Sequence, residues 1–294
     1  MSAPAANEGS KRRERRRPII GPRLRIVIIH ALLVLACATT ILPFLVVLTA
    51  SLKCPSLGDD MSPAGPDFIP KRFHWTNYLV GWRAGKLGAA FRNSLMVSIV
   101  WTTGTVLVCA MAAYAIGRRQ CFGHQWILLF FLSSMMFAGQ TTMIPQFILY
   151  RSLGLYDSLA IFMIPGAGAF TIYLLSHWFK SVPKEIEEAA LIDGCSEWGI
   201  FWRIIMPLSL PALATVGLFA IMGSWNNFVG PYVFLESEAK MTVPLAIQMF
   251  PVESMPLQAA KAAAVMISVV PVITVFVFLQ RWVLKGLSLG ALKG

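Results

Sequence analysis

Six long apolar stretches dominate the sequence and constrain its fold more than any other feature. They cover residues 24–50, 93–116, 126–150, 158–179, 208–232 and 259–282. A helix needs about 20 mainly apolar residues to cross a lipid bilayer. Because lipid offers the backbone no hydrogen-bond partners, each stretch is expected to be helical. The sequence therefore predicts an all-α, polytopic membrane protein with six transmembrane helices.

Composition supports this class and excludes several others. Charged residues make up 13% of the chain, against about 25% in a typical soluble domain. The five cysteines are odd in number and scattered, and their spacing matches no metal or redox motif. They are Cys37, Cys54, Cys109, Cys121 and Cys195. We therefore expect no disulfide and no metal site.

A basic tail precedes the first apolar stretch. Eight of the 25 Lys and Arg residues lie in the first 25 positions, mostly between Lys11 and Arg17. Each basic residue near an anionic membrane surface contributes roughly 1 kcal/mol to binding. The tail, residues 1–23, is thus predicted to bind membrane lipid on the cytoplasmic side, and nucleic acid is not an expected partner. The first stretch could also be a signal peptide, but its apolar run continues past Cys37 to Val47, which favours an uncleaved helix.

The distribution of basic residues also predicts the orientation. With the tail in the cytoplasm, helix alternation makes residues 51–92 an extracytoplasmic loop and residues 180–207 a cytoplasmic one. The core then spans residues 93–282 with five helices, and residues 283–294 form a cytoplasmic C-terminal tail. This orientation depends largely on the basic tail, because the remaining basic residues are divided almost evenly between the two sides.

Residues 180–207, which we call the acidic loop, are polar although long apolar stretches flank them. Pro183 fits the first turn of a helix, and Glu185, Glu187 and Glu188 then lie near the positive end of its dipole. Gly194 is typical of a left-handed helix stop. The first half of the loop is therefore predicted to be a short helix that ends at a glycine turn.

A second short helix is predicted after that turn. Ser196 can cap it, and Phe201, Ile204 and Ile205 give it an apolar face. On the first helix, a helical wheel places four residues on one narrow stripe: Ile186, Ala189, Ala190 and Asp193. A helix that rests on anionic lipid usually has a basic polar face, whereas this one is acidic. A protein partner is therefore expected to dock on the loop.

The acidic loop resembles the EAA motif of ABC-importer permeases. That motif is EAA, three residues, G, nine residues, I, one residue, LP. Here Glu188-Ala189-Ala190 is followed at the same spacing by Gly194, Ile204 and Met206-Pro207. Met206 replaces the usual leucine, which is a mild change.

Further segments, from about residue 45 onward, are similar to sugar-importer permeases of the maltose-transporter MalG type. They are Ala50-Ser51-Leu52-Lys53, Trp75-Thr76-Asn77-Tyr78, Asn93-Ser94-Leu95, Ala112-Ala113-Tyr114-Ala115, Leu153-Gly154-Leu155 and Gly223-Ser224-Trp225-Asn226. The resemblance implies a MetI-like permease fold in a bacterial plasma membrane, with both termini in the cytoplasm.

The resemblance also implies partners and a mechanism. Such permeases work with a second, related permease, two copies of a cytoplasmic ABC ATPase and an extracytoplasmic sugar-binding protein. The loop would be the coupling element that contacts the ATPase. The residues carried over by position are Glu188, Ala189, Ala190, Asp193, Gly194, Ile204 and Pro207. The chain contains no G-x-x-x-x-G-K-[ST] sequence, which a P-loop would need to bind ATP phosphates. No catalytic residues and no cofactor are expected on this chain; ATP and Mg²⁺ would bind to the ATPase subunits.

Polar residues inside apolar stretches are candidates for a translocation pathway, since they are costly in lipid. They are Gln140, Gln146, Asn226 and Asn227. They could equally form hydrogen bonds between helices. The solute is predicted to be a sugar, with glycerol-phosphate or another polar solute as the alternative. A stand-alone secondary transporter would place carboxylates inside the membrane, and every Asp and Glu here lies outside the six stretches.

Overall fold

A computed structural model describes residues 22–54, 69–70, 72–119, 121–137, 139–251 and 255–291. Most of the predicted basic tail, and residues 55–68 of the predicted extracytoplasmic loop, lie outside the described residues. The described part of the chain is helical and contains no β-strand. This confirms the all-α class.

The helices are short where glycine and proline accumulate and long elsewhere. They are α1 (Pro22–Leu52), α2 (Thr76–Ala84), α3 (Leu87–Gly117), α4 (His124–Ser134), α5 (Met143–Ser152), α6 (Ala169–Ser181), α7 (Lys184–Ile192), α8 (Glu197–Ile200), α9 (Met206–Leu208), α10 (Leu210–Trp225), α11 (Val229–Phe234), α12 (Val243–Gln248) and α13 (Met255–Ala291). Short 3₁₀ turns precede α5, α6 and α12, and a π-helical turn at Phe201–Ile205 joins α8 to α9.

Helices occur in all six apolar stretches, but only three are unbroken spans. In the described residues, α1, α3 and α13 are each long and apolar enough to cross a membrane. Two bent helix pairs pass the same test of length and composition when each pair is counted as one span: α4 with Gly139–Ser152, at 91°, and Glu197–Leu208 with α10, at 77°. The fourth stretch holds the 3₁₀ turn Leu159–Phe162 and the 13-residue α6. Pro165 interrupts it because proline has no N–H for a helical hydrogen bond.

Helix boundaries differ from the predicted ones at both ends of the core. Helix α3 begins at Leu87, six residues before the predicted start, directly after a turn in which Lys86 has a φ of 47°. Helix α2 lies within the predicted extracytoplasmic loop. Helix α13 continues to Ala291, where a separate tail from residue 283 was predicted. No proline interrupts the chain after Pro271, so nothing in the sequence stops this helix early.

The chain divides into two compact units, residues 1–46 and 47–294. In the first unit, residues 26–45 of α1 are all exposed. In the second unit, α3 packs against α6 and α10, and α13 packs against α10 and α2. One apolar core surrounds the C-terminal half of α3 and includes Cys109, Ala113 and Phe179. A second core surrounds its N-terminal end and includes Leu87 and Trp225.

Small residues allow α3 and α6 to approach closely. Cys109, Ala113 and Gly117 recur at four-residue spacing on one face of α3, and the two side chains are fully buried. A Cβ atom on Gly117 would lie 2.8 Å from the backbone oxygen of Ser176 on α6. Close backbone packing at small residues is a main source of helix association in membranes. The contact therefore fixes the distance between these two helices.

Replacing Gly117 with alanine should push α3 and α6 apart. We expect the substitution to cost about 1–3 kcal/mol of stability, as overpacking does. Gly217→Ala on α10 is the matched control, because no atom lies within 4 Å of the added Cβ and alanine favours a helix by about 1 kcal/mol. Melting of the two purified variants in detergent should shift in opposite directions. A shared direction would contradict the packing role of Gly117.

Candidate functional site

The first half of the acidic loop forms the predicted helix and glycine turn. Helix α7 follows Pro183 and ends at Ile192. Gly194 has a φ of 80°. The N–H groups of Gly194 and Cys195 donate to the carbonyls of Leu191 and Ala190 at 3.0 and 2.9 Å. This geometry satisfies the last carbonyls of the helix and favours glycine at the left-handed position.

The second half of the loop also matches its prediction and adds a feature. The Ser196 hydroxyl oxygen accepts a hydrogen bond from the Gly199 N–H at 3.2 Å. Phe201 and Ile205 are buried, and Ile204 is half-buried against the same core. The π-helical turn at Phe201–Ile205 was not foreseen. Such turns are rare and occur often at functional sites.

A buried ion pair fastens the loop to the end of α3. The Arg118 Nε atom donates to the Glu187 carboxylate at 2.7 Å, and the two side chains are 4% and 9% exposed. The other guanidinium nitrogens of Arg118 donate to the carbonyls of Val182 at 2.7 Å, Pro183 at 3.0 Å and Phe179 at 3.4 Å. One side chain thus joins the last turn of α6, the linker and α7. The planar guanidinium, with five N–H donors, suits this role better than lysine.

The outward face of α7 differs in one residue from the predicted stripe. Glu188, Ala189 and Asp193 are exposed, but Ala190 is buried in the core. Its place on the outward face is taken by Ile192, whose side chain is 87% exposed. Ala190 is buried because Glu187, one turn earlier on the same face, points toward Arg118. Of the remaining residues matched to the EAA motif, Gly194 and Pro207 are exposed.

The roles of Arg118 and Ile192 were not predicted from the sequence. Arg118 follows an apolar stretch, where a basic residue is expected only because it helps to set the orientation of the helix in the membrane. In the sequence, 68 residues separate it from Glu187. Ile192 follows the EAA residues but belongs to none of the motif positions. A single exposed isoleucine on a protein surface is common, so the sequence alone does not mark Ile192 as part of a contact surface.

Three of the four candidate pathway residues line one cavity. Gln140, Gln146 and Asn227 contribute to a cavity of about 440 Å³. Asn226 does not line it, and its backbone N–H donates to Met222 at the end of α10. The cavity walls also include Tyr150, Phe162 and Phe234. The lining residues that the structure describes carry no formal charge.

Aromatic rings build one wall of this cavity. The ring centroids of Tyr150, Phe147 and Phe162 lie 5.4, 6.3 and 6.3 Å from that of Phe234. Phe234 is buried and therefore holds α5 and the 3₁₀ turn before α6 together. Aromatic pairs at these distances contribute about 0.5–1.5 kcal/mol each beyond their burial.

The segment after Phe234 is held by Asp157. The carboxylate of Asp157 accepts from the N–H groups of Glu236 and Ser237, both at 2.9 Å, and from the Ser237 hydroxyl. The Lys240 ammonium donates to it at 2.8 Å. Burial raises the pKa of this carboxyl group, but the hydrogen bonds from Lys240, Ser237 and Glu236 outweigh that effect and hold the pKa well below its usual range.

The same segment is held from α3 by two polar side chains. The Asn93 amide donates to the carbonyls of Ala239 at 2.9 Å and Met241 at 3.0 Å. The Ser94 hydroxyl accepts from the Val243 N–H at 2.8 Å. Residues 235–243 are therefore fixed between Asp157 on one side and the start of α3 on the other.

No group of three or more His, Cys, Asp or Glu residues in the described part of the chain could hold a metal ion. None of the five cysteines, all of which lie in the described part of the chain, is in a disulfide.

A comparison with family models decides the identity of the chain. The model for the binding-protein-dependent transport system inner membrane component matches residues 28–289. The chain belongs to this family. It is a non-catalytic transport permease of the membrane, and the resemblance in the acidic loop is confirmed as a family relationship.

Relatives within the family match over most of their length. The chain is 30% identical over 288 residues to the polygalacturonan/rhamnogalacturonan transport system permease YtcP of Bacillus subtilis, covering 92% of this chain and 99% of that one. It is 30% identical to the diacetylchitobiose uptake system permease NgcG of Streptomyces coelicolor, covering 90% and 88%.

A solved structure shares the fold of this permease. It belongs to a bacterial ABC transporter involved in the import of the acidic polysaccharide alginate. The TM-score is 0.77 at 23% identity, with 91% of this chain and 100% of that chain covered. The permease fold expected from the sequence is therefore confirmed.

Removing the charge of Glu187 should destabilise the permease. Glu187→Gln leaves the Arg118 guanidinium buried without its counter-ion, and breaking a buried pair in this way costs about 3–5 kcal/mol. Glu188→Gln changes the same side chain at an exposed neighbouring position, where about 0.5 kcal/mol or less is expected. Thermal melting of both variants in detergent tests this difference. Equal melting temperatures would show that the ion pair does not hold the loop.

Asp157→Asn should isolate the charge of Asp157, since asparagine tolerates the positive φ of this position. Hydrogen bonds to charged groups contribute about 1.5–3 kcal/mol, so the variant should be less stable at neutral pH. The folded pKa is depressed, so the contribution is fully present above the ordinary aspartate pKa of about 4. It is lost as the pH falls below that value. Melting curves at pH 7 and pH 3 should show a smaller difference at the lower pH; a constant difference would argue against the ionised carboxylate.

Proposed function

We propose that this permease is one of two related membrane subunits in an ATP-driven importer of carbohydrate. It forms half of the translocation pathway. The acidic loop is the contact with a cytoplasmic ATPase, and both chain termini lie on that cytoplasmic side in a bacterial inner membrane. Two ATPase copies carry the ATP and Mg²⁺, and an extracytoplasmic binding protein delivers the solute.

The observation that carries the proposal is the construction of the acidic loop. Its EAA residues lie on a short helix whose inner face is tied to the bundle by Arg118 and Glu187. Its outer face presents Glu188, Ala189, Ile192 and Asp193. An exposed isoleucine among small and acidic residues suits a partner pocket with an apolar floor and a basic rim.

The same construction explains how the loop would transmit movement. Closure of the ATPases on ATP would displace α7. Because Arg118 bonds to α7, to the linker and to α6, α3 and α6 would move with it as a rigid group. Packed helices respond to such a displacement by discrete rearrangement rather than gradual deformation. The pathway would thus change its access from one side of the membrane to the other.

The cavity supports a neutral, hydroxyl-rich solute. Its polar residues Gln140, Gln146 and Asn227 are amides, which can donate to and accept from hydroxyl groups. Its aromatic wall, with Tyr150 and Phe162, offers flat apolar surfaces of the kind that pack against sugar rings. An anionic solute such as glycerol-phosphate would be expected to need a basic residue, and the described lining has none. The diacetylchitobiose in the name of NgcG is a neutral carbohydrate and agrees with this choice. The polygalacturonan in the name of YtcP is a carbohydrate too, but an acidic one.

Co-purification provides the most direct test of the assembly. The permease, extracted in mild detergent, should bring with it a second permease and an ATPase in a ratio of one to one to two. The extracytoplasmic binding protein of the same importer, purified separately, should bind a carbohydrate. A permease that transports its solute alone would overturn the proposal.

Replacing Gly194 with valine should uncouple the permease from its ATPase. A β-branched residue at a φ of 80° is strained by about 1–3 kcal/mol, which would distort the end of α7. We expect uptake to be lost and the ATPase to be retained poorly during purification, while the permease still inserts.

Gly154→Val is the matched control for this variant. Gly154 also has a positive φ, of 68°, and no atom lies within 4 Å of an added Cβ, but it lies in the turn after α5. The backbone strain is therefore similar at both sites. Loss of ATPase retention only in the Gly194 variant supports the coupling role, and equal retention in both variants argues against it.

A further inference from the structure

The fourth apolar stretch contains a non-helical segment, residues 164–168, which we call the break segment. It lies beside the middle of α3. A Cβ atom on Gly104 would be 2.9 Å from the ring of Pro165, and the Gly166 N–H donates to the Thr105 hydroxyl at 3.2 Å. At 1.5 Å per residue, Gly104 lies about 25 Å from the start of α3 and about 20 Å from its end. The break segment therefore lies deep within the membrane.

Several backbone groups of the break segment have no partner. Among the described residues, none donates a hydrogen bond to the carbonyl oxygens of Ile164, Pro165 or Ala167. These three residues and Gly168 are also exposed. Gly168 differs, because its carbonyl accepts from the Ile172 N–H at the start of α6.

Such a segment cannot face lipid. Leaving a backbone carbonyl unbonded in hydrocarbon costs several kcal/mol. Irregular backbone at membrane depth is tolerated only where it is buried in protein or lines a water-filled space. The exposed face of the break segment must therefore meet either a partner subunit or water.

The neighbouring cavities favour water. The 440 Å³ cavity and a second one of about 160 Å³ share Ile161, Phe162 and Asn227 as lining residues. Ile161 and Phe162 belong to the 3₁₀ turn that leads directly into the break segment. The polar space lined by Gln140 and Gln146 thus reaches the turn at Phe162, two residues before the break segment begins.

We propose that the break segment lines the translocation pathway and that its carbonyls of Ile164, Pro165 and Ala167 accept hydrogen bonds from the hydroxyl groups of the passing solute. This inference rests on the proposed function and adds a second subsite to it. Backbone carbonyls only accept hydrogen bonds. The three carbonyls therefore suit a neutral polyhydroxylated solute. They disfavour a carboxylate or a phosphate, which would bring a further hydrogen-bond acceptor.

Cysteine labelling of the assembled transporter tests whether water reaches the segment. Ala167→Cys should react with a charged, membrane-impermeant methanethiosulfonate reagent beyond the background of the parent chain. Ile273→Cys is the control, because Ile273 is exposed on α13, which has no non-helical segment. Labelling at Ala167 alone is the expected result. Labelling at neither position, or crosslinking of Ala167→Cys to the second permease in place of labelling, would overturn the proposal.

A second variant tests whether the solute passes this point. Ala167→Leu enlarges an exposed side chain, so the melting temperature of the complex should stay unchanged while most of the uptake is lost. Unchanged uptake would contradict the subsite. Neither result depends on the acidic loop: if the Gly194 variant behaves as expected and both Ala167 variants do not, the importer assignment stands and the subsite is wrong.

Discussion

The side chain of Arg118 is the interaction on which the arrangement of this permease depends most. It is a cation at the end of a long apolar helix. It donates to one carboxylate on α7 and to three carbonyl oxygens, one in the last turn of α6 and two in the linker that follows. Without those acceptors a buried guanidinium would be too costly to retain. Without the guanidinium, the carboxylate of Glu187 would be buried without its counter-ion. The position of the acidic loop and the burial of Arg118 therefore require each other.

The loop needs this attachment because it is small and polar. Helix α7 has nine residues, too few to be stable alone in water. It gains its order from the ion pair at Glu187, from the burial of Ala190 and from the glycine turn at Gly194. Only its inner face contributes to these contacts. The outer face, with Glu188 and Ile192, is left exposed, so the residues that stabilise the helix and those that it presents outward lie on different sides.

The sequence predicted the features that depend on local pattern. The helical class follows from apolar length, the end of α7 follows from Gly194, and the cap of α8 follows from Ser196. It did not predict features that depend on contacts between distant residues. Whether Ala190 faces inward is decided by Arg118, far away in the chain, and the spacing of the EAA residues carries no information about that partner. The bend after Ser134 also escaped prediction, because the apolar pattern continues through it, whereas the bend at Ser209 lies at the predicted boundary between the acidic loop and the fifth stretch.

The candidate pathway residues also divide into those that local pattern predicted correctly and one that it did not. Polarity within apolar stretches identified Gln140, Gln146 and Asn227, which the fold brings together, but it also selected Asn226, which lies outside the cavity. Two adjacent asparagines at the end of α10 differ only in the direction their backbone takes after Trp225. That direction is set by the short helix α11 and the aromatic contacts of Phe234. The pattern of hydrophobicity along the chain does not predict this direction.

Helix α3 touches every functional region of the second unit without a break in its own backbone. Asn93 and Ser94 hold the 235–243 segment, Gly104 and Thr105 adjoin the break segment, and Arg118, just past the final turn, holds the acidic loop. An α-helix resists compression along its axis, and no proline or glycine pair divides this one. A movement of about 1 Å imposed at Arg118 must therefore reach Asn93 at nearly full amplitude, some 40 Å away at helical rise. A single unbroken helix therefore connects the two sides of the membrane mechanically.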